Sequence, residues 1–182
     1  TEKYPHVTFF FNGGYREPLD SSMENYHMIS SDKIPSFASL PGMKAGEISN
    51  KAVAFIRSGE YQYGLINFAN ADMVGHTGDL DAAIAAVETV DRCVGVLAKA
   101  VTESGGQMLV TADHGNCEIM WDQAGASPHT AHTTNPVPLI LVSGNTNIGL
   151  AAGRLADLAP SLLAMIGIAK PALMTGKCLL SP

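Results

Sequence analysis

Cysteine pairs, excess positive charge and long apolar runs are all missing from this sequence. Its three cysteines, Cys93, Cys117 and Cys178, are odd in number, far apart and never in a Cys-x-x-Cys pair. That leaves no disulfide frame and fits reduced thiols in a cytoplasmic setting. Cys117 stands near His114, but a thiolate zinc site brings more than one cysteine, so it is set aside as a ligand. Basic residues number 11 against 17 acidic ones, for a net charge of −6. This balance argues against a nucleic-acid or membrane-surface binder. It leaves an anionic substrate open, because a bound metal reverses the local field. No apolar run is long enough to span a bilayer, no secretory signal is visible, and no repeat or low-complexity tract occurs. What is present is 46% apolar residues over 182 positions, enough for one globular domain with a real core.

Histidine is sparse too, and its placement is informative. Four of the six histidines lie in three short segments, each beside an expected strand. The stretch Thr111-Ala112-Asp113-His114-Gly115-Asn116 follows the apolar run Gln107-Met108-Leu109-Val110 and delivers an acid and an imidazole side by side. Asn67-Phe68-Ala69-Asn70-Ala71-Asp72-Met73-Val74-Gly75-His76 ends a second apolar run with Asp and His four apart. His129-Thr130-Ala131-His132-Thr133-Thr134-Asn135-Pro136 supplies two histidines ahead of a third. In an open parallel sheet, ligands bind beyond the carboxyl ends of the strands.

The intervening chain supports that placement. His6 to Phe11 reads as a strand by aromatic and β-branched content, stopped by Asn12-Gly13-Gly14. Beginning so close to a buried strand, the chain reads as a piece of a longer parent. Tyr15 to Gly46, rich in Pro and Ser, reads as a long irregular connection. Ala45 to Ser58 is a helix ended by Gly59, and Tyr63 to Phe68 a strand running on to Asp72. Asp79 to Thr102 is a strongly periodic helix with Ile84, Val87, Val90, Val94, Leu97 and Val101 on one face, closed by Gly105-Gly106. Strand, helix and the Asp113 strand make a βαβ unit, hence a parallel pair with Asp72, His76, Asp113 and His114 at one rim. Cys117 to Pro128 is a loop carrying Trp121, and Val137 to Val142 a strand. Arg154 to Ile166 is a last amphipathic helix that Pro160 should bend or split, or whose second half it opens.

Carboxylate and imidazole donors suit ions such as Mn²⁺ or Zn²⁺. Asp72 and His76 bite one ion from a single loop, and His132 is the candidate third donor. Asp113 and His114, turned by Gly115, address one or two neighbouring ions. Two ions about 4 Å apart are a known device for in-line phosphoryl transfer.

These segments carry a resemblance. Asn70 to Gly78, Thr111 to Asn116, His129 to Thr133 and the opening Thr1-Glu2-Lys3-Tyr4-Pro5-His6-Val7-Thr8-Phe9-Phe10-Phe11-Asn12-Gly13-Gly14 are similar to the cofactor-independent phosphoglycerate mutases of the alkaline phosphatase superfamily. So are Leu158-Ala159-Pro160-Ser161-Leu162 and Met174-Thr175-Gly176-Lys177 near the end. The resemblance implies an alkaline-phosphatase-like α/β fold, a mostly parallel sheet with helices on both faces. It implies Asp72, His76 and His132 on one Mn²⁺, with Asp113 and His114 helping to hold a second. Mg²⁺, Co²⁺ and Zn²⁺ are the alternative metals. Lys3 would contact the substrate phosphate. Preferring His132 to His129 rests on His-Thr just ahead of a strand, as in related phosphatases; His129 then stands behind the ligands or on the substrate side. The reaction implied is interconversion of 3- and 2-phosphoglycerate through a phosphoserine, in a soluble, cytoplasmic, monomeric parent with no nucleic-acid or membrane partner.

The departure is large. In that family the nucleophilic serine, its aspartate neighbour and the inserted substrate-binding domain precede the segment matching Lys3. Residues 1–182 therefore read as the C-terminal portion of the metal-binding phosphatase-type domain, with no catalytic nucleophile of their own. The competing readings are another metal-dependent phosphatase or phosphomutase of the same superfamily, and a folded fragment without catalysis.

Overall fold

Helices form where the apolar spacing is strongest. α2, Ala45–Ser58, ends on Gly59, which takes the left-handed φ of +69° that a helix-terminating glycine adopts at little cost. α4, Leu80–Glu103, opens with the Asp79 carboxylate accepting from the Ala82 N–H at 2.9 Å. The computed structural model describes residues 1–181 and divides the chain into two units. One is Thr1–Leu97 with Asn116–Thr133; the other is Ala98–Gly115 with the residues from Thr134 on.

In the first unit the opening strand is replaced. Residues Tyr4–Val7 form the short helix α1, and turns carry the chain on to Gly14. Pro5 in the first turn presets a helical φ, and the Thr8 hydroxyl donates to the Tyr4 carbonyl at 2.8 Å. Strand propensity describes fit to a pleated neighbour, and no described strand lies alongside to supply a ladder. The same reason covers Tyr63 to Phe68, which belongs to no described strand. The chain from Tyr15 to Gly46 is irregular as expected, apart from a 3₁₀ turn at Phe37–Ser39. α3, Asn70–Gly75, stands where a strand end and loop were expected. A small hairpin, β2 (Trp121–Asp122) with β3 (Ser127–Pro128), lies within the expected Cys117 to Pro128 loop.

The buried stripe of α4 differs from the predicted one by about a quarter turn. Ala82, Ala86, Cys93, Leu97 and Ala100 are buried, whereas Ile84 is 49% and Val87 45% exposed. Small side chains let backbones approach: the Ser49 hydroxyl of α2 reaches the Cys93 carbonyl at 3.5 Å. Val74, Ala82, Ala83, Ala86 and Met120 make the core, with Phe37, Ala38, Met43 and Cys117 packed against it.

In the second unit β1 (Met108–Thr111) pairs with β4 (Leu139–Val142), Met108 opposite Val142 and Thr111 opposite Leu139. β5 (Gly149–Leu150) pairs with β6 (Leu180–Ser181). Every described strand pair is antiparallel, against the mostly parallel sheet expected from the βαβ reading. Tyr63 to Phe68, read as the first strand of the βαβ unit, forms no described strand, so the parallel ladder does not form among the described residues. The last helix splits at the proline: a 3₁₀ turn, Leu155–Asp157, leads into α5, Leu158–Met165, with Pro160 in its first turn. Buried Asp157 accepts from the Arg154 and Lys177 N–H groups at 3.0 and 2.9 Å. Among the described residues no helix is long and apolar enough to cross a membrane.

Candidate metal centre

α3 explains why Asp72 and His76 point the same way. Asp72 lies in its first turn and His76 caps its C-terminus, so a spacing of four puts both on one helix face. Asn70, 1% exposed, anchors the start of the helix by donating to the Pro41 and Gly42 carbonyls at 2.8 and 2.9 Å. Gly78, at φ +72°, lets the exit from α3 lie against the 128–130 segment; a Cβ there would stand 2.7 Å from Pro128 Cβ. That segment then brings in His132.

Three donor atoms converge. His132 Nε2 is 2.9 Å and His76 Nε2 3.1 Å from Asp72 Oδ1, and the two imidazole nitrogens are 3.1 Å apart. His76 Nδ1 lies 2.7 Å from the Thr130 carbonyl. A carbonyl only accepts, so Nδ1 carries a hydrogen, and Nε2 is the nitrogen that faces the cluster. Lys3 Nζ is 2.7 Å from the other carboxylate oxygen, Asp72 Oδ2, and the Asn116 amide donates to Oδ1 at 2.8 Å. Burial pushes the Asp72 carboxyl up, but the Lys3 and Asn116 hydrogen bonds and the charges of Lys3 and His76 outweigh it and hold it at about 2. It is therefore an anionic donor across the physiological range.

One carboxylate oxygen and two imidazole nitrogens, mutually within 4.8 Å, form the one group of three or more candidate donors among the described residues. Donors spaced by about 3 Å are what three ligands at roughly 2.1 Å from one ion, near right angles, would show. The residues present thus fit a divalent cation.

A family model of the metalloenzyme superfamily matches residues 1–170. The chain belongs to the metalloenzyme superfamily. Curated relatives of the chain include the 2,3-bisphosphoglycerate-independent phosphoglycerate mutases of Rhodopseudomonas palustris, 54% identical over 99% of the chain, and of Syntrophotalea carbinolica, 55% identical over 100%. The chain spans about 35% of the length of either relative. A phosphoglycerate mutase of Leishmania mexicana, crystallised at low cobalt concentration, superposes with a TM-score of 0.90 at 32% identity, over 99% of this chain and 36% of that one. The chain therefore has the α/β fold of that mutase, mixing helices and strands, as a partial domain.

Asp113, His114 and His129 are not among the three clustered donors. Asp113 and His114 follow β1 and belong to the second unit, with His114 Nε2 3.6 Å from Asp113 Oδ1. His129 donates its backbone N–H to the Met120 carbonyl at 3.0 Å, and its Nδ1 is buried without a hydrogen-bond partner. The direct Lys3–Asp72 contact and the bond from the Asn116 amide to Asp72 join segments that meet only in the folded chain.

Proposed function

We propose that this chain is the C-terminal portion of the metal-binding domain of a cofactor-independent phosphoglycerate mutase, an isomerase of glycolysis. The parent enzyme would interconvert 3- and 2-phosphoglycerate through a phosphoserine. The observation that carries the reading is the Asp72–His76–His132 cluster, lying in a chain that matches named mutases over its whole length. In this reading Asp72, His76 and His132 hold one Mn²⁺, and Asp113 with His114 contributes to a second. Bound divalent ions supply Lewis-acid stabilisation of a transferring phosphoryl group.

The chain's own groups then have defined tasks. His76 offers Nε2 to the metal because Nδ1 is committed to the Thr130 carbonyl. Lys3 pairs with Asp72 through Nζ, and an ammonium has three donors, so it can hold the carboxylate and a phosphate oxygen at once. No group here is assigned as nucleophile, so the chain alone carries no mutase turnover. Free thiols at Cys93, Cys117 and Cys178 support a cytoplasmic parent, and a net charge of −6 argues against nucleic-acid or membrane-surface partners. The small-molecule substrate and a monomeric parent follow from the mutase reading.

Calorimetry tests the ligand set. Mn²⁺ should bind the chain and lose more than about 100-fold in affinity on Asp72→Ala or His132→Ala, but little on His129→Ala. Equal binding by the chain and Asp72→Ala would remove the site, and a larger loss at His129 than at His132 would reverse the choice of third ligand. A coupled assay should find no mutase turnover in the isolated chain; clear turnover would mean a nucleophile lies within it.

A further inference from the structure

Asn116 touches the cluster without being one of its three donors. It is 5% exposed, and its carboxamide donates to Asp72 Oδ1 at 2.8 Å and to the Asp72 backbone carbonyl at 3.3 Å. An ionised carboxylate only accepts, so the amide nitrogen must face Asp72 and the amide oxygen must face away. That oxygen is buried, has no hydrogen-bond partner and meets Gly75. A Cβ at residue 75 would overlap it and lie 2.8 Å from Asn116 Cγ. A buried acceptor left unpaired is costly, and the amide bears this cost while its donor stays on Asp72.

A second link leads to the histidine arm. The Asn116 backbone N–H donates to Glu118 Oε2 at 2.7 Å, and Glu118 Oε1 accepts from the hydroxyl of Thr133, the neighbour of His132. Asp72 and His132 come from segments 60 positions apart, yet they meet at 2.9 Å. Asn116 and Glu118 thus join those two segments. With Lys3 on Oδ2 and Asn116 on Oδ1, the carboxylate also cannot turn both oxygens to one ion.

We infer that Asn116, acting with Glu118, is a positioning residue that holds Asp72 as a one-oxygen donor and keeps the His132 segment at ligand distance from it. The inference rests on the metal reading of the cluster, and the test separates the two. Mn²⁺ affinity is measured by calorimetry, and the His76 and His132 imidazole signals by NMR without metal, for the chain and for Asn116→Ala, Glu118→Ala and Ser161→Ala. Ser161 is the control: it is as buried as Asn116, but its hydroxyl bonds to the Asp157 carbonyl and the Leu179 N–H, in the second unit.

Asn116→Ala should weaken Mn²⁺ binding about 10- to 100-fold, the usual effect of losing a partner behind a metal ligand. Glu118→Ala should act in the same direction to a smaller extent, and Ser161→Ala should lower the melting temperature with little change in affinity. Both imidazole signals should shift or broaden in Asn116→Ala and not in Ser161→Ala. Affinities within threefold of the unaltered chain and unchanged imidazole signals in both Asn116→Ala and Glu118→Ala overturn the inference. An equal loss in Ser161→Ala overturns it as well, because a general loss of stability then explains the effect. Should the unaltered chain bind no Mn²⁺, the metal reading fails, and the imidazole signals alone decide the positioning role. Glu118 is exposed, so its variant decides the matter if Asn116→Ala does not fold.

Discussion

Burial pushes the Asp72 carboxyl up, and three neighbours more than reverse that push. Lys3 and Asn116 bond to the charged form, and the charges of Lys3 and His76 favour it, so the group titrates near 2 against an ordinary 3.8. A carboxyl depressed by folding contributes stability that is present above its unfolded value and lost as pH falls through the folded one. For Asp72 that window runs from pH 4 down to 2, and the contribution is roughly 2 kcal/mol. The metal-free chain should therefore lose melting temperature across this window. Asp72→Asn should begin lower at neutral pH and change less between pH 4 and 2. Parallel curves for the two would show that Asp72 is not held by these neighbours. Part of this was legible at the residue scale: an Asp and a His four apart, with a second histidine segment downstream, are chemistry written in spacing. The Lys3 contact was not, because a lysine three residues from a chain's start reads as solvated.

Among the elements, α3 most directly joins fold to site, and its glycine matters as much as its donors. Gly75 has no left-handed requirement; it is needed because the Asn116 carboxamide and Cys117 Sγ lie where a Cβ would go. Gly75→Ala should cost about 1–3 kcal/mol in a thermal melt, the range for overpacking a filled site, and should weaken Mn²⁺ binding as Asn116 is displaced. An unchanged melt and affinity would mean that the carboxamide moves aside freely. Helices α2 and α4 were readable because their periodicity and terminating glycines are local properties. The strands were less so: His6 to Phe11 and Tyr63 to Phe68 have strand composition, but a strand also needs a neighbour, and none is described beside them. The α4 stripe was misread for a related reason. Large apolar residues mark the face with most hydrophobic area, while close approach to α2 and α3 favours the face with alanines.

For the molecule as a whole, the division into two units determines where metal should act. All three clustered donors, with Lys3 and Asn116, belong to the first unit, although they come from four separate stretches of chain, at residues 3, 72–76, 116 and 132. An ion that binds only the folded form stabilises it by about 2.7 kcal/mol at a concentration 100 times Kd. For a chain of this length that is a rise of roughly 5–10 °C in melting temperature. Because the ion would tie residues 72–76 to 130–132, slowed hydrogen exchange should appear first in those two segments. Residues 108–111 and 139–142, paired through their own ladder, should change least. Added protection at 113–114 alongside 72–76 would support a second ion there. Protection at 113–114 with none at 72–76 and 130–132 would move the primary site out of the first unit and leave the Asp72 cluster as an ordinary ion-pair network held by Lys3.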